Sequence, residues 1–143
     1  MDQRLTFITI GVEDLEKMKR FYQDVFGWKP FKDEQGVVFF RLNGIVLGLF
    51  PNQELANDAQ ISAESRGFKR FSLSINFSSE AEVSKIFKRL AEKGATVLKE
   101  PEKVFWGGFS GYLQDPEGTL WELAYNPFME LDEEGSFVGE VAS

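Results

Sequence analysis

Apolar and polar residues alternate along the chain in two patterns, one with a period of two and one with helical spacing. The run FITIGV, from Phe7 to Val12, alternates strictly and predicts a short strand with one apolar face. Asp14 can cap the helix that follows. Its apolar positions recur every three or four residues, at Leu15, Met18, Phe21, Tyr22 and Val25. The start of the chain therefore predicts a strand and then an amphipathic helix that ends at Gly27.

Two more strands are predicted in the first half. The apolar runs VVFFRL (37–42) and IVLGLF (45–50) flank Asn43-Gly44, and this dipeptide between two such runs is typical of a β-hairpin. Polar residues predominate from 51 to 67, with a short helix predicted around residues 54–59. We interpret this stretch as a connection between two halves.

The second half repeats the order of the first. FSLSINF (71–77) alternates, a helix with a Ser cap follows and ends at Gly94, and ATVLK predicts a short strand. Two last strands flank a tight turn at residues 115–118, DPEG. When the halves are overlaid, Phe7 falls on Ser72 and Gly48 falls on Glu122, although few residues are identical.

In each half, one strand face is apolar and should lie under the helix, whereas the other face is mixed. Glu122 falls on the mixed face if Trp121, Leu123 and Tyr125 pack against the helix. Sheets that are covered on one side only, curled and doubled, predict a cavity. The residues expected on its wall include Phe7, Phe39, Arg41, Gly48, Ser72, Tyr112 and Glu122, with Trp106 beside a glycine-rich approach.

The amino-acid composition excludes several kinds of catalytic site and argues against several kinds of partner. The chain has no Cys and no His, so thiolate chemistry and the commonest general base and transition-metal ligand are excluded. The net charge of −7 argues against nucleic acid and anionic membranes as partners. No signal peptide or membrane-spanning run is present, which favours the cytoplasm.

Two segments resemble the vicinal oxygen chelate superfamily, the group that includes glyoxalase I, bleomycin-resistance proteins and ring-cleaving dioxygenases. These segments are ITIGVEDLEKMKRFYQDVFGW near the start and DPEGTLWEL near the end. The resemblance implies an α+β fold in which two βαβββ modules form a half-open mixed β-barrel around a cavity, with the helices outside, commonly in a homodimer. We expect one compact domain: a first module at 1–50, a connection at 51–67, a second module at 68–127 and an acidic C-terminal tail at 128–143.

The resemblance also implies where metal-dependent members hold their ion. Transferred to this chain, the four ligand positions are Phe7, Gly48, Ser72 and Glu122. Only Glu122 is a strong metal ligand, and a transition-metal site needs two or three of these. We therefore expect no metal ligands and no cofactor.

The leading hypothesis is metal-independent binding of a small, mostly apolar or aromatic molecule. Its ligand-binding residues would be Phe7, Phe39, Arg41, Gly48, Ser72, Trp106, Tyr112 and Glu122. A carboxylate in an apolar strand is costly unless a partner satisfies it, and Arg41 or Ser72 is the partner expected for Glu122. The alternative is a metal-free lyase or isomerase in which Glu122 is the general base. A metal-dependent glyoxalase or dioxygenase and a dimeric module with a vestigial cavity are the remaining alternatives.

Overall fold

The computed structural model describes residues 1, 3–64 and 67–141, which fall into two compact units, Met1–Lys69 and Arg70–Ser143. The described part of the first unit contains β1 (Phe7–Val12), α1 (Leu15–Asp24), β2 (Pro30–Glu34), β3 (Val37–Arg41), β4 (Val46–Pro51) and α2 (Asn52–Ala59). The second contains β5 (Leu73–Asn76), α3 (Glu80–Lys93), β6 (Thr96–Lys103), β7 (Phe109–Gln114), β8 (Leu120–Tyr125), β9 (Met129–Leu131) and β10 (Phe137–Glu140). Each unit thus contains one βαβββ module, and the predicted α+β fold is confirmed.

The two modules have the same sheet topology. In the first, the strand order is β1-β4-β3-β2, and in the second it is β5-β8-β7-β6. The first strand of each module runs parallel to the last, while the other neighbours are antiparallel. Thr9 pairs with Gly48, and Ser74 pairs with Glu122, so Gly48 and Glu122 occupy equivalent positions. The overlay of the two halves is therefore confirmed.

Both long helices begin at the predicted caps. The Asp14 side chain accepts a hydrogen bond from the Lys17 amide at 3.0 Å, and Ser79 accepts one from the Glu82 amide at 3.1 Å. Each helix buries its apolar stripe against the sheet of its own unit. The buried helix residues are Met18, Phe21, Tyr22, Val83, Phe87 and Leu90. Alternate residues of the strands, such as Ile10 and Leu123, are buried beneath these helices, which fixes the opposite strand face as the one available to a ligand.

The DPEG turn is organised by a buried carboxylate. Asp115 is almost fully buried, and its side chain accepts hydrogen bonds from the amides of Glu117 and Thr119, both at 2.9 Å. Gly118 has a φ of +85°, a backbone conformation that glycine adopts without strain. The turn connects β7 to β8 and so sets the register in which Tyr112 pairs with Glu122.

Two features differ from the sequence prediction. Strand β2 was not predicted, because PFKDE is rich in charged residues and has no apolar alternation. The acidic tail at 128–143 carried no predicted secondary structure, yet its residues form an antiparallel hairpin, β9 and β10, with Asp132, Glu133 and Glu134 exposed. Asp132 closes that hairpin by accepting hydrogen bonds from the amides of Glu134 and Ser136, at 2.9 and 2.8 Å.

None of the described helices combines the length and the apolar composition that a transmembrane span requires.

Gly111→Ala is expected to destabilise the second unit. A Cβ at Gly111 would lie 2.8 Å from the Lys99 carbonyl oxygen and 2.9 Å from the Phe87 ring, and the backbone of β6 cannot yield easily. We expect the free energy of unfolding to fall by about 1–3 kcal/mol, as for other overpacked sites. Chemical denaturation measures this, with Gly139→Ala as control because nothing lies within 4 Å of a Cβ there. Equal stability of the two variants would contradict the packing described.

Candidate functional site

Three polar side chains of the second unit lie side by side on the sheet face opposite α3. Ser74, Glu122 and Tyr112 occupy one row across β5, β8 and β7, as the pairing Ser74–Glu122 and Tyr112–Glu122 shows. Directly paired residues on neighbouring strands have Cβ atoms about 4.5–5.5 Å apart, within reach of hydrogen bonds between side chains. The prediction that Glu122 faces away from the helix is confirmed, since Trp121 and Leu123 are the buried pair on the other face.

The Glu122 carboxylate is satisfied within this row. Ser74 donates its hydroxyl hydrogen to Oε1 of Glu122 at 2.6 Å, a distance typical of a hydroxyl donating to a charged oxygen. The Tyr112 hydroxyl lies near this carboxylate, whose negative charge contributes to the raised pKa of the phenol. The register therefore places Ser74 beside Glu122, whereas Ser72, the predicted partner, precedes β5 and is exposed. The Ser74 hydroxyl stabilises the charge that an apolar strand alone would not tolerate.

The environment raises the pKa of the Tyr112 hydroxyl above its ordinary value. Loss of hydration is the largest cause, followed by the negative charge of Glu122 and then by the hydrogen bond to Glu122. All three favour the neutral phenol. Tyr112 therefore remains a hydrogen-bond donor at neutral pH.

The first unit has an aromatic row at the equivalent positions. Thr9, Gly48 and Phe39 pair across β1, β4 and β3. Because Gly48 has no side chain, the Phe39 ring lies over it, and a Cβ there would be 3.2 Å from the ring. The Phe7 ring meets Phe39 edge-on, with 5.3 Å between centroids. Phe39 thus occupies the place that Tyr112 has in the second unit.

Two cations lie over this aromatic cluster. The Lys32 ammonium is 5.6 Å from the Phe39 ring centroid, and the Arg41 guanidinium is 5.2 Å from that of Phe31. Phe31 itself lies 6.0 Å from Phe39, between centroids. Arg41, which was the expected partner of Glu122, is therefore stacked on an aromatic ring of its own unit.

Trp106 lies in the turn between β6 and β7. The turn closes through a hydrogen bond from the Val104 amide to the Gly108 carbonyl at 3.0 Å. The Trp106 ring covers Gly108, where any Cβ would overlap it, and about a third of the residue remains exposed. The glycine-rich approach thus allows the indole ring to lie against the backbone, as a pocket wall would require.

One cavity of about 400 Å³ lies elsewhere in the first unit. It is lined by Glu13, Asn52, Gln53, Ile61, Ser62, Ala63 and Glu64. None of the predicted site residues belongs to this lining, and its polar walls do not match the apolar pocket expected from the sequence.

The side chains at the implied ligand positions offer few donors to a divalent metal ion. The residues at the four positions that the resemblance implies are a phenylalanine, a glycine, a serine and Glu122, so a single carboxylate is the one strong ligand. Across residues 1, 3–64 and 67–141, no group of three or more acidic side chains lies close enough to hold an ion. These residues do not fit a transition-metal site.

Comparison with known proteins defines the family. Residues 4–123 match the model of the Glyoxalase/Bleomycin resistance protein/Dioxygenase superfamily, which is most of the chain. The chain therefore belongs to this superfamily. The resemblance seen in the ITIGVEDLEKMKRFYQDVFGW and DPEGTLWEL segments is confirmed.

The individual relatives have low sequence identity to this chain. A metallothiol transferase FosB from Lysinibacillus sphaericus is 28% identical over 122 residues, which cover 85% of this chain and 81% of the transferase. The lactoylglutathione lyase GLX1 from Arabidopsis thaliana is also 28% identical, but the match covers only 44% of its length. A solved glyoxalase-related enzyme from Fulvimarina pelagi is 34% identical, with a TM-score of 0.87 over 97% of this chain and 99% of that one.

Four residues of these surfaces were not among the predicted site residues: Thr9 and Ser74, which belong to the two rows, and Phe31 and Lys32, which lie beside the first row. Ser74 was on the predicted mixed face, but the register that sets it beside Glu122 is visible only in the paired strands. Phe31 and Lys32 lie on the unpredicted strand β2, and a register shift between Pro30 and Lys32 brings both to the same face as Phe39. The dipeptide FK gives no specific signal for them, because it also occurs at Phe68-Lys69 and Phe87-Lys88.

Glu122→Gln is expected to lower the pKa of Tyr112 towards its ordinary value of about 10, because it removes the charge that disfavours the phenolate. Part of the elevation should remain, since desolvation is the larger cause. Absorbance titration at 295 nm reports tyrosine ionisation. The difference from Tyr112→Phe isolates Tyr112 from the other two tyrosines.

The raised pKa of Tyr112 also determines how stability changes with pH. A tyrosine whose pKa is higher in the folded state than in the unfolded state stabilises the fold at pH values below its unfolded-state pKa. This stabilisation is lost as the pH rises through the folded-state pKa. Wild-type stability should therefore fall more steeply than that of Tyr112→Phe at strongly alkaline pH. A Tyr112 midpoint that is the same in wild type and Glu122→Gln would contradict the contact with Glu122.

Proposed function

We propose that this chain binds a small, mostly apolar or aromatic molecule without a resident metal ion. The observation that carries the proposal is the chemistry of Gly48 and Glu122, which occupy equivalent positions in the two units. Gly48 offers no ligand atom and is covered by Phe39, while the Glu122 carboxylate already accepts a hydrogen bond from Ser74. Where metal-dependent relatives are expected to place ligands, this chain has an aromatic floor and a hydrogen-bonded acid.

In this proposal the first unit offers Phe7 and Phe39 as aromatic contact area, and the second unit offers Trp106 together with the polar groups of Tyr112 and Glu122. The exposure of these rings supports it, since Phe7 retains 43% of its surface and Trp106 retains 36%. Aromatic side chains with one polar tip are well suited to hold flat ligands. A homodimer in the cytoplasm, with no nucleic acid or membrane partner, is the setting we propose.

A metal-free enzyme is the second candidate, and the Ser74–Glu122–Tyr112 row favours it. A carboxylate fixed by the Ser74 hydroxyl is positioned as a general base is, and the neutral Tyr112 beside it could donate a hydrogen bond to a developing oxyanion. Proton abstraction from a carbon acid would leave the proton on Glu122, which would return it to another atom of the same substrate. These two proton transfers amount to an isomerisation, which needs no co-reactant.

Metal content is the first test. We expect purified protein to contain no stoichiometric transition metal by elemental analysis. Zn²⁺, Ni²⁺, Mn²⁺ and Fe²⁺ should not raise the melting temperature beyond the effect of Mg²⁺ at equal ionic strength. One tightly bound ion per chain would overturn the metal-independent proposal.

The variant Glu122→Gln distinguishes binding without catalysis from catalysis with Glu122 as the general base. If the chain only binds its ligand, ligand-induced stabilisation in a thermal-shift panel should persist within a few-fold. If Glu122 is a general base, binding should persist while turnover falls by about 10²-fold or more. Glu54→Gln, which removes an exposed acid of α2, is the matched control. Failure of every small aromatic compound to bind either protein would contradict both candidates.

A further inference from the structure

We propose that the first unit carries a subsite for a small aromatic anion, such as an aromatic carboxylate. The ring would lie on Phe39 and Phe31, and Lys32 and Arg41 would bind the anionic group. This inference rests on the proposed function and specifies the chemical class of the ligand. It depends on contacts within the first unit alone.

The first step is that the two cations contact aromatic rings but have no carboxylate partner in the described part of the chain. Neither Lys32 nor Arg41 forms an ion pair with any described carboxylate. Asp33, the acid next to Lys32 in sequence, is turned away and pairs with Lys19 of α1 at 3.0 Å. In a chain with a net charge of −7, two unpaired cations on one sheet face form a local site for an anion.

The equivalent lysine of the second unit provides an internal comparison. Lys99 pairs with Tyr112 across β6 and β7, as Lys32 pairs with Phe39 across β2 and β3. Lys99, however, forms an ion pair with Glu102 at 3.1 Å. Of these two lysines at matching positions, Lys99 is therefore neutralised by an acid of its own strand, whereas the Lys32 ammonium is left for a ligand.

The second step is the way in which the aromatic floor is built. In a regular strand, Phe31 and Lys32 would point to opposite faces. The register shift between Pro30 and Lys32 relaxes this alternation, so that the Phe31 ring and the Lys32 ammonium both reach the Phe39 side. Gly48 completes the floor, because its missing side chain lets Phe39 lie over the strand.

The third step is the chemistry that matches this arrangement. Aromatic rings present their faces to a second ring in offset or edge-on contact, and guanidinium and ammonium groups supply hydrogen bonds to an anion. Phe31 is 49% exposed, so the floor is accessible on the described surface of its unit. A neutral aliphatic ligand would use neither feature. An aromatic anion uses both.

Titration calorimetry with three probes tests the inference: 1-naphthoate, its neutral methyl ester, and cyclohexanecarboxylate. We expect 1-naphthoate to bind the wild type most tightly, and more weakly as salt is raised. Lys32→Gln and Arg41→Gln should each raise its Kd by about tenfold, a loss typical of one hydrogen bond to a charged group. Lys17→Gln, which removes an exposed cation from α1, should change the Kd by less than about twofold.

Phe39→Leu tests the ring contact separately. It should abolish the preference for 1-naphthoate over cyclohexanecarboxylate while leaving the salt dependence in place. If the methyl ester binds as tightly as 1-naphthoate and the charge variants have no effect, the inference is overturned and the proposed function stands. If none of the three probes binds the wild type, the inference is overturned; if, in addition, no compound of the thermal-shift panel binds, the proposed function fails as well.

Discussion

The parallel pairing between the first and last strands of each module is the constraint on which the candidate site depends. It sets Thr9 beside Gly48 and Ser74 beside Glu122. The antiparallel neighbour then adds Phe39 in one unit and Tyr112 in the other. A shift of one residue would turn Glu122 into the layer beneath α3, where Trp121 and Leu123 are buried and a carboxylate would lack donors.

One topology therefore supports two surfaces of different chemistry. The equivalent rows differ at their central position, which is glycine in the first unit and glutamate in the second. The glycine permits close approach of a ring, and the glutamate accepts a hydrogen bond from Ser74 beside the neutral Tyr112. The family's fold is retained in both, whereas no group of three or more acidic side chains in residues 1, 3–64 and 67–141 could hold a metal ion.

Periodicity and capping residues predicted the helices, the strand faces and the equivalence of the two halves, because each depends on neighbours close in sequence. Strand β2 escaped prediction because its residues are charged and its pairing with β3 is irregular. The choice of Ser74 over Ser72 depends on pairing between residues 48 positions apart, which a single sequence does not reveal. Arg41 was expected to reach Glu122, but its stacking on Phe31 depends on that same unpredicted strand.

The Ser74 contact to Glu122 has a consequence for which compounds the second unit can select. A carboxylate has about four lone-pair positions, and Ser74 occupies one of them. The positions that remain can only accept hydrogen. A compound that approaches Glu122 must therefore offer it an N–H, an O–H or an acidic C–H group, while an ether, ester or halogen at the same place would meet repulsion between lone pairs. Selectivity at this position would thus follow from the polarity of one bond in the ligand, whatever the size of the ligand.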